Sequence, residues 1–81
     1  MKVRLLFFSH LKDIVGAAQL DEEISEGASV RDLLEKLFAR YPKLRNWNES
    51  ILVGAGVEFV GRDYLLKSGD EIAIMPPVQG G

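Results

Sequence analysis

The feature that most constrains the fold is a single strong amphipathic helical pattern in the middle of a short chain. From about Ser29 to Tyr41, apolar residues recur at spacings of three and four and so share one face of a helix: Val30, Leu33, Leu34, Leu37, Phe38 and Tyr41. Ser29 and Asp32 have the spacing of a capping box, and Pro42 predicts the end of the helix. In a chain of 81 residues, this pattern predicts one domain with the helix laid on a sheet.

Two strand-like runs precede the helix pattern, at 3–8 and 19–25. Alternation puts one face of the first run toward the core, namely Val3, Leu5 and Phe7. Between the runs, Ser9 is predicted to cap a short helix that ends at Gly16. In the second run Glu22 is a flaw in the apolar alternation. Two strands on either side of so short a helix are predicted to pair antiparallel.

Three more strand-like runs follow the helix pattern, at 51–53, 57–60 and 71–75. The residues between the first two, Gly54-Ala55-Gly56, are predicted to be a turn rather than a phosphate loop, and Gly56-Val57 suits a type II′ hairpin. The last strand is predicted to pair beside the first, in the middle of the sheet. The fold class is therefore α+β, a β-grasp arrangement in which one main helix packs on one face of a mixed sheet.

Composition excludes several kinds of site. The chain has no cysteine, which rules out disulfides, thiolate metal sites and cysteine nucleophiles. The only histidine, His10, is interpreted as a surface or helix-end residue that forms no metal site, and Asp21-Glu22-Glu23 and Asp70-Glu71 as solvated groups. A net charge of −2 argues against a nucleic-acid partner. Without a long apolar run or a signal-peptide pattern, we expect a cytoplasmic protein that does not bind membranes.

The last residues read Met75-Pro76-Pro77-Val78-Gln79-Gly80-Gly81. Two glycines leave the terminal carboxylate unshielded by a Cβ, and the prolines stiffen the base of the tail and cannot join a sheet ladder. We interpret the chain as a domain of residues 1–75 and a flexible tail of residues 76–81 that presents a reachable carboxylate. The alternatives are a frayed terminus or a cloning remnant.

A second functional feature is the sheet face away from the helix. Phe8, Phe59 and Met75 fall on that side in a period-two pattern, and Val57 shares the parity of Phe59. If the face is free, these large apolar groups predict a partner site. The alternative is that the polar segment 43–50, anchored by Leu44 and Trp47, folds over them.

The ending Gly-Asp-Glu-Ile-Ala-Ile-Met-Pro-Pro-Val-Gln-Gly-Gly, at 69–81, resembles the C-terminus of the molybdopterin synthase small subunits. The segment from Val3 to Gly16 and the helix after Ala28 are similar to that family too, so the resemblance covers essentially the whole chain. Family members often carry Asn in the turn where Gly56 stands here. Gly can adopt the same turn conformation as Asn, so the only expected difference is the loss of a hydrogen bond from the Asn side chain.

The resemblance implies a ubiquitin-like sulfur carrier that acts as a non-catalytic subunit. An adenylating enzyme of the ubiquitin-activating type would use ATP to adenylate the carboxylate of Gly81, and sulfur would then replace AMP. Gly80, which has no Cβ, would let the tail enter the narrow active site of a partner. The large synthase subunit would bind the carrier in a heterotetramer and pass the sulfur to a pyranopterin precursor, forming the molybdopterin dithiolene. The carrier itself would bind no cofactor and no metal. The docking residues would be Phe8, Phe59, Met75, Pro76, Pro77 and Val78.

Three alternatives stay open from the sequence. A sulfur carrier for thiazole synthesis or tRNA thiolation shares the fold, the tail and the chemistry, although thiazole carriers are usually shorter and lack the Pro-Pro-Val lead-in. A protein modifier would be conjugated through Gly81 to lysines, as ubiquitin is, and would appear in isopeptide adducts. A plain interaction module would leave its Gly-Gly ending unmodified.

Overall fold

The structure, a computed structural model, describes residues 1–77. Within that range the sheet is built from five strands, and two α-helices and a 3₁₀ segment connect them. In chain order the elements are β1 (Lys2–Phe7), α1 (His10–Val15), β2 (Gln19–Glu23), α2 (Val30–Arg40), the 3₁₀ segment (Pro42–Ser50), β3 (Leu52–Ala55), β4 (Glu58–Val60) and β5 (Glu71–Met75). In this described part, no helix is long and apolar enough to cross a membrane.

The strands form one mixed sheet in the order β2-β1-β5-β3-β4. The central strands β1 and β5 are parallel, and the other three pairs are antiparallel. The prediction that the last strand pairs beside the first is confirmed, as is the antiparallel pairing of β1 with β2. This order, with α2 packed on one face, is the predicted β-grasp arrangement.

The core lies between α2 and one face of the sheet. The apolar stripe of α2 and the inward side chains of the strands are at most 3% exposed: Val30, Leu33, Leu34, Leu37 and Phe38 from the helix, and Val3, Leu5, Phe7, Val53, Ile72 and Ile74 from the sheet. Each such side chain stabilises the fold by about 1.5–3 kcal/mol relative to an exposed one. The periodicities of the sequence predicted the helix stripe and the inward face of β1.

Helix α2 begins with the predicted capping box. The backbone N–H of Asp32 donates to Ser29 Oγ at 3.3 Å, and the backbone N–H of Ser29 donates to Asp32 Oδ2 at 2.9 Å. After Pro42 the chain continues in the 3₁₀ segment, in which Leu44 is fully buried and Trp47 packs against the core. The two predicted anchors therefore hold this segment in place.

The short helix α1 differs from the prediction at its start. Ser9 occupies the N-cap position, but its side chain makes no cap hydrogen bond, and its φ of 52° is rare for a residue with a Cβ. The backbone takes over this role, since the Phe8 carbonyl accepts from the N–H of Leu11 at 3.2 Å. The helix ends at Gly16 as predicted, with φ of 84° and its N–H donating to the Lys12 carbonyl.

The interpretation of Glu22 as a solvated group is wrong. Glu22 shares the helix-facing side of β2 with Leu20 and Ile24 and is only 5% exposed. Arg40 Nη1 and Nη2 donate to its two carboxylate oxygens at 2.8 and 2.9 Å, and Lys36 Nζ lies 3.3 Å from Oε2. A buried carboxylate is tolerated here because α2 supplies two cations at the edge of the core.

The hairpin between β3 and β4 is tighter than the three-residue turn that the sequence predicted. Gly54 and Ala55 belong to β3, and Ala55 pairs directly with Glu58, which leaves Gly56-Val57 as a two-residue turn. Gly56 has φ of 63°, whereas Val57 is not among the described residues with positive φ. This combination fits the predicted type II′ turn, which needs glycine at the first central position only.

Candidate docking site and tail base

The sheet face opposite α2 is not covered by any part of residues 1–77, and it carries a contiguous set of apolar side chains. In one row across β1, β5, β3 and β4, the outward residues Leu6, Ala73, Gly54 and Phe59 are direct neighbours. In the next row toward the end of β5, Leu52 lies opposite Met75. We call the outward side of the sheet the free face, and we call its apolar part the apolar patch: Leu6, Phe8, Leu52, Phe59, Ala73 and Met75.

The large side chains of the apolar patch are accessible. Phe59 is 73% exposed, Phe8 45% and Leu52 38%, while Met75 is half-buried. The alternative that the segment 43–50 covers this face is wrong, because the 3₁₀ segment packs against α1 and α2 instead. Adjacent exposed aromatic and aliphatic groups on one face are typical of a surface that binds a partner.

The tail leaves the domain beside this patch. Strand β5 ends at Met75, and the half-buried Pro76 and Pro77 follow it. On one side the Phe8 N–H donates to the Ile74 carbonyl at 3.3 Å, and on the other side Leu52 pairs with Met75. The ladder stops at the prolines because they have no N–H to donate. The predicted residues Val78, Gly80 and Gly81 lie outside the described residues.

The end of the Met75 side chain lies near Gly54, and a Cβ at that position would make only ordinary van der Waals contacts with it. A Cβ at Gly54 would stand 3.5 Å from Met75 Cε and 3.8 Å from Ala73 Cβ. The flexible thioether of Met75 therefore forms the surface of the patch above Gly54 and can adapt to a partner's shape. Sequence reasoning placed Gly54 in a turn and missed this contact. The available signal was a glycine within a strand, which marks close approach.

Sequence reasoning also left three members of the patch out of the predicted partner site, Leu6, Leu52 and Ala73, and it missed one residue that supports the patch. Leu6 and Leu52 belong to the patch, and their outward parity in β1 and β3 could have revealed them. Arg62 fixes the start of β3, since Nη1 donates to Asn48 Oδ1 at 3.0 Å and Nη2 donates to the Asn48 and Ile51 carbonyls at 2.6 and 3.2 Å. The next residue after Ile51 is Leu52, so Arg62 helps to position the tail base.

His10 is the first residue of α1, which confirms the predicted helix-end position, but its side chain is half-buried rather than free on the surface. Its ring centroid lies 4.3 Å from that of Trp47, with an angle of 47° between the planes, and its Nε2 is buried without a hydrogen-bond partner. The contact joins α1 to the 3₁₀ segment. Residues 1–77 contain no group of three His, Cys, Asp or Glu side chains placed to hold a metal ion.

Comparison with known proteins gives one family and several close folds. The sequence profile of the ThiS family matches residues 5–81. The chain is 31% identical to the molybdopterin synthase sulfur carrier subunit of Chlamydomonas reinhardtii, over 100% of both chains. It is 35% identical to the protein of the same name from Dictyostelium discoideum, over 96% of this chain and 94% of that one.

Three solved structures extend this likeness. A putative molybdopterin converting factor subunit 1 from Pyrococcus furiosus has a TM-score of 0.87 at 29% identity, over 96% of this chain and 99% of that one. The small archaeal modifier protein 1 of Methanosarcina acetivorans has a TM-score of 0.80 at 30% identity, with coverage of 99% and 96%. A Helicobacter pylori protein, solved in the complex of molybdopterin-converting factor subunits 1 and 2, shares the fold at 22% identity, with a TM-score of 0.71 and 100% of both chains covered.

Proposed function

The chain belongs to the ThiS family, and on that premise we propose that it is the sulfur carrier subunit of a molybdopterin synthase. In this proposal Gly81 carries the sulfur, and Gly80 lets the tail enter a narrow partner site because it has no Cβ. The names of relatives that are 31% and 35% identical support this role. The Pro-Pro-Val-Gln-Gly-Gly ending supports it as well.

The observation that carries the proposal is the position of the tail base within the apolar patch. Met75 is at once a patch residue and the last residue of β5. A partner that covers Phe8, Leu52 and Phe59 therefore meets the start of the tail on the same surface. Docking on the patch delivers the tail to the partner, so one binding event positions both the domain and the terminal carboxylate.

The proposed chemistry takes place at the carboxylate of Gly81. An adenylating enzyme joins this carboxylate to AMP from ATP with release of pyrophosphate. The outer sulfur of a persulfide then displaces AMP, which gives an acyl persulfide. A second thiol, on the adenylating enzyme or in solution, attacks the donor-side sulfur, so that the S–S bond breaks, the thiocarboxylate is released and the donor is left as a disulfide. The chain has no cysteine, so no internal thiol competes for the activated carbonyl. The domain supplies binding and positioning, and ATP is a substrate of the adenylating enzyme rather than a cofactor of this chain. We place the reaction in the cytoplasm, where sulfur nucleophiles stay reduced.

The proposed acceptor of the tail is the large synthase subunit. The Helicobacter pylori fold relative, found in a complex of subunits 1 and 2, supports this choice of partner. From Pro76 to Gly81 the tail can extend about 20 Å, at roughly 3.3–3.6 Å per residue, which is long enough to enter a recessed active site. The sulfur then passes to a pyranopterin precursor. Since a dithiolene needs two sulfurs, two charged carriers are needed for each product. We place the carrier and the large subunit in a heterotetramer.

A reconstitution with intact-mass measurement tests the proposal. The chain is incubated with ATP, an adenylating enzyme of the ubiquitin-activating type and a persulfide donor. We expect a mass gain equal to one O-to-S exchange at the C-terminus, followed by loss of that gain when the large subunit and the pyranopterin precursor are added. A chain that acquires no sulfur, or that keeps its sulfur in the presence of large subunit and precursor, would contradict the proposal.

A second candidate function is conjugation to other proteins. The likeness to small archaeal modifier protein 1, at 30% identity and a TM-score of 0.80, favours it. Both functions start from the same adenylated glycine, but a modifier ends in an isopeptide bond to a lysine. Incubation with ATP and a cell lysate from the source organism separates them, because a modifier appears in adducts of higher mass that resist reduction and a dedicated carrier does not.

A further inference from the structure

The free face changes character along its strands. The apolar patch occupies the end from which the tail leaves, and charged side chains occupy the opposite end. The alternation of β1, β2 and β5 points five of them outward: Lys2, Arg4, Asp21, Glu23 and Glu71. Glu71 stands two residues before Ala73 on the same side of β5, so the charged end begins directly where the apolar patch stops.

All five charges have an opposite charge as a cross-strand neighbour, since Lys2 stands opposite Glu23 and Arg4 stands between Asp21 and Glu71, but only three of the five form an ion pair. Arg4 Nε lies 3.5 Å from Asp21 Oδ1, and the N-terminal amino group lies 3.7 Å from Glu23 Oε2. Lys2 and Glu71 form no ion pair with any residue of the range 1–77. Both are exposed, and both line an open depression of about 450 Å³ at this end of the face. The depression has room for side chains of another molecule.

The two free charges are arranged in a fixed order. Glu71 pairs in register with Arg4, and Lys2 lies two residues before Arg4 on β1. Since a strand rises about 3.3 Å per residue, Lys2 stands about 7 Å farther from the tail than Glu71 does. The order from the tail is therefore apolar patch, negative charge, positive charge.

We propose that this charged end sets the orientation in which a protein partner docks, with a basic side chain of the partner at Glu71 and an acidic one at Lys2. The proposal rests on the proposed function, because the partner is the large synthase subunit. A partner that covers the patch reaches Glu71, which lies on the central strand β5 rather than at the sheet edge. Arg4 stands beside Glu71, but its Nε lies 3.5 Å from Asp21, so this row of two carboxylates and one guanidinium keeps one unbalanced negative charge that a basic side chain of the partner would stabilise.

The charged end is needed because the apolar patch alone does not favour one docking orientation over another. Apolar contacts are non-directional, whereas charges favour one alignment and disfavour the reversed one. Only one alignment along β5 sends the tail toward the partner's active site. Lys2 and Glu71 would thus act as specificity-determining residues for the same surface.

The test compares charge reversals on and off the free face. Binding of the large synthase subunit of the source organism is measured by calorimetry for the unaltered chain, Glu71→Lys and Lys2→Glu. We expect each variant to weaken binding about tenfold or more at low ionic strength. Added salt should reduce the difference in affinity between each variant and the unaltered chain. The matched controls Glu26→Lys and Lys43→Glu change the net charge equally but lie in exposed segments off the free face, and we expect no more than about a twofold change.

Melting curves verify that the variants stay folded. Equal affinities for the two reversals and their controls would overturn the inference while leaving the proposed function in place. A large subunit that does not bind the unaltered chain would overturn the proposed function, and this inference with it. The double variant with both reversals supports the inference if its fold-loss of affinity is about the product of the fold-losses of the two single variants, since the two contacts are then independent.

Discussion

Arg40 holds the carboxylate of Glu22 in a two-pronged ion pair, with Nη1 and Nη2 at 2.8 and 2.9 Å from the two oxygens. Arg40 is the last residue of α2, and Glu22 lies on the edge strand β2. The pair therefore ties the end of the main helix to the edge of the sheet. Burial by itself raises the pKa of Glu22, but hydrogen bonds from Arg40 and Lys36 outweigh it and lower the pKa from its ordinary value of 4.5.

This pair predicts an acid-sensitive part of the stability. Because the folded pKa of Glu22 lies below the unfolded one, the ion pair contributes fully above about pH 4.5 and its contribution is lost as the pH falls through the folded value. We expect Glu22→Gln to lower the free energy of unfolding by about 1–2 kcal/mol at neutral pH, since both cations remain partly in water. The difference from the unaltered chain should shrink in acid, as measured by urea unfolding across this pH range.

Glu23→Gln is the matched control for that experiment. The Glu23 side chain is 72% exposed and its oxygen lies 3.7 Å from the N-terminal amino group. We expect this variant to change the free energy of unfolding by less than about 0.5 kcal/mol. If the free energy of unfolding followed parallel pH profiles in Glu22→Gln and the unaltered chain, the ionised Glu22 would contribute nothing to the acid sensitivity of the fold.

Replacing an exposed patch residue should weaken partner binding without unfolding the domain. Phe59 is 73% exposed on the edge strand β4, so Phe59→Asp removes little core packing but places a charge on the proposed docking surface. We expect a loss of about 2 kcal/mol or more in binding to the large subunit, as for an aromatic anchor. Calorimetry measures it, and Met75→Asp should act in the same direction.

Leu65→Asp is the control for the patch. Leu65 is 60% exposed and bridges to Ser29 at the start of α2, away from the free face. Its replacement makes the same kind of chemical change on another surface. An unchanged affinity for Phe59→Asp, or an equal loss of affinity for Leu65→Asp, would show that the apolar patch is not part of the interface.

The last glycine should be sensitive to any added bulk. We expect Gly81→Ala, or one residue appended after Gly81, to slow adenylation or sulfur transfer about a hundredfold, because a small displacement of the reacting group has effects of that size. Melting temperature should not change. Sulfur loading followed by intact mass measures the rate, and Gln79→Ala is the control within the tail. Normal loading and transfer by either Gly81 variant would contradict the proposed mechanism.

Arg62 should stabilise the connection into β3. Arg62→Ala leaves the acceptors at Asn48 and Ile51 without their donor. We expect the free energy of unfolding to fall by about 1.5–3 kcal/mol, which is typical of hydrogen bonds from a charged group. Thermal unfolding measures it. Arg62→Lys should recover only part of the loss because one ammonium group cannot reproduce the planar fork. Arg45→Ala, which removes a 3.3 Å surface ion pair with Glu35, should cost under about 1 kcal/mol.

Features that depend on neighbours in the chain could be predicted from the sequence. The capping box of Ser29 and Asp32 spans three residues, and the buried stripe of α2 follows from the pitch of a helix. The end of α1 at Gly16 and the Gly56-Val57 turn each need a positive φ that glycine adopts without strain. Each of these features is decided within a few residues, so the local pattern is sufficient.

The errors occurred where distant segments meet. Glu22 interrupts the apolar alternation of β2, and only Arg40, eighteen residues later, explains why it is buried. The cap at Ser9 is a local exception: its backbone has φ of 52°, its side chain makes no cap hydrogen bond, and the adjacent Phe8 carbonyl accepts from the Leu11 N–H instead. Leu6 and Leu52 became part of the docking surface only when their strands took their places on either side of β5.

The sequence by itself determined the helix, the strand faces, the fold class and the Pro-Pro-Val-Gln-Gly-Gly ending, because backbone periodicity and turn chemistry act over short distances. The sequence also placed Phe8, Phe59 and Met75 on one sheet face, but only the tertiary structure decided that the segment 43–50 leaves them exposed and that Leu52 joins them around the tail base. The tertiary structure also decided that Lys2 and Glu71 face the same side beyond the apolar patch. These are relations between strands far apart in the chain, and they exist only once strand order and register bring the strands together.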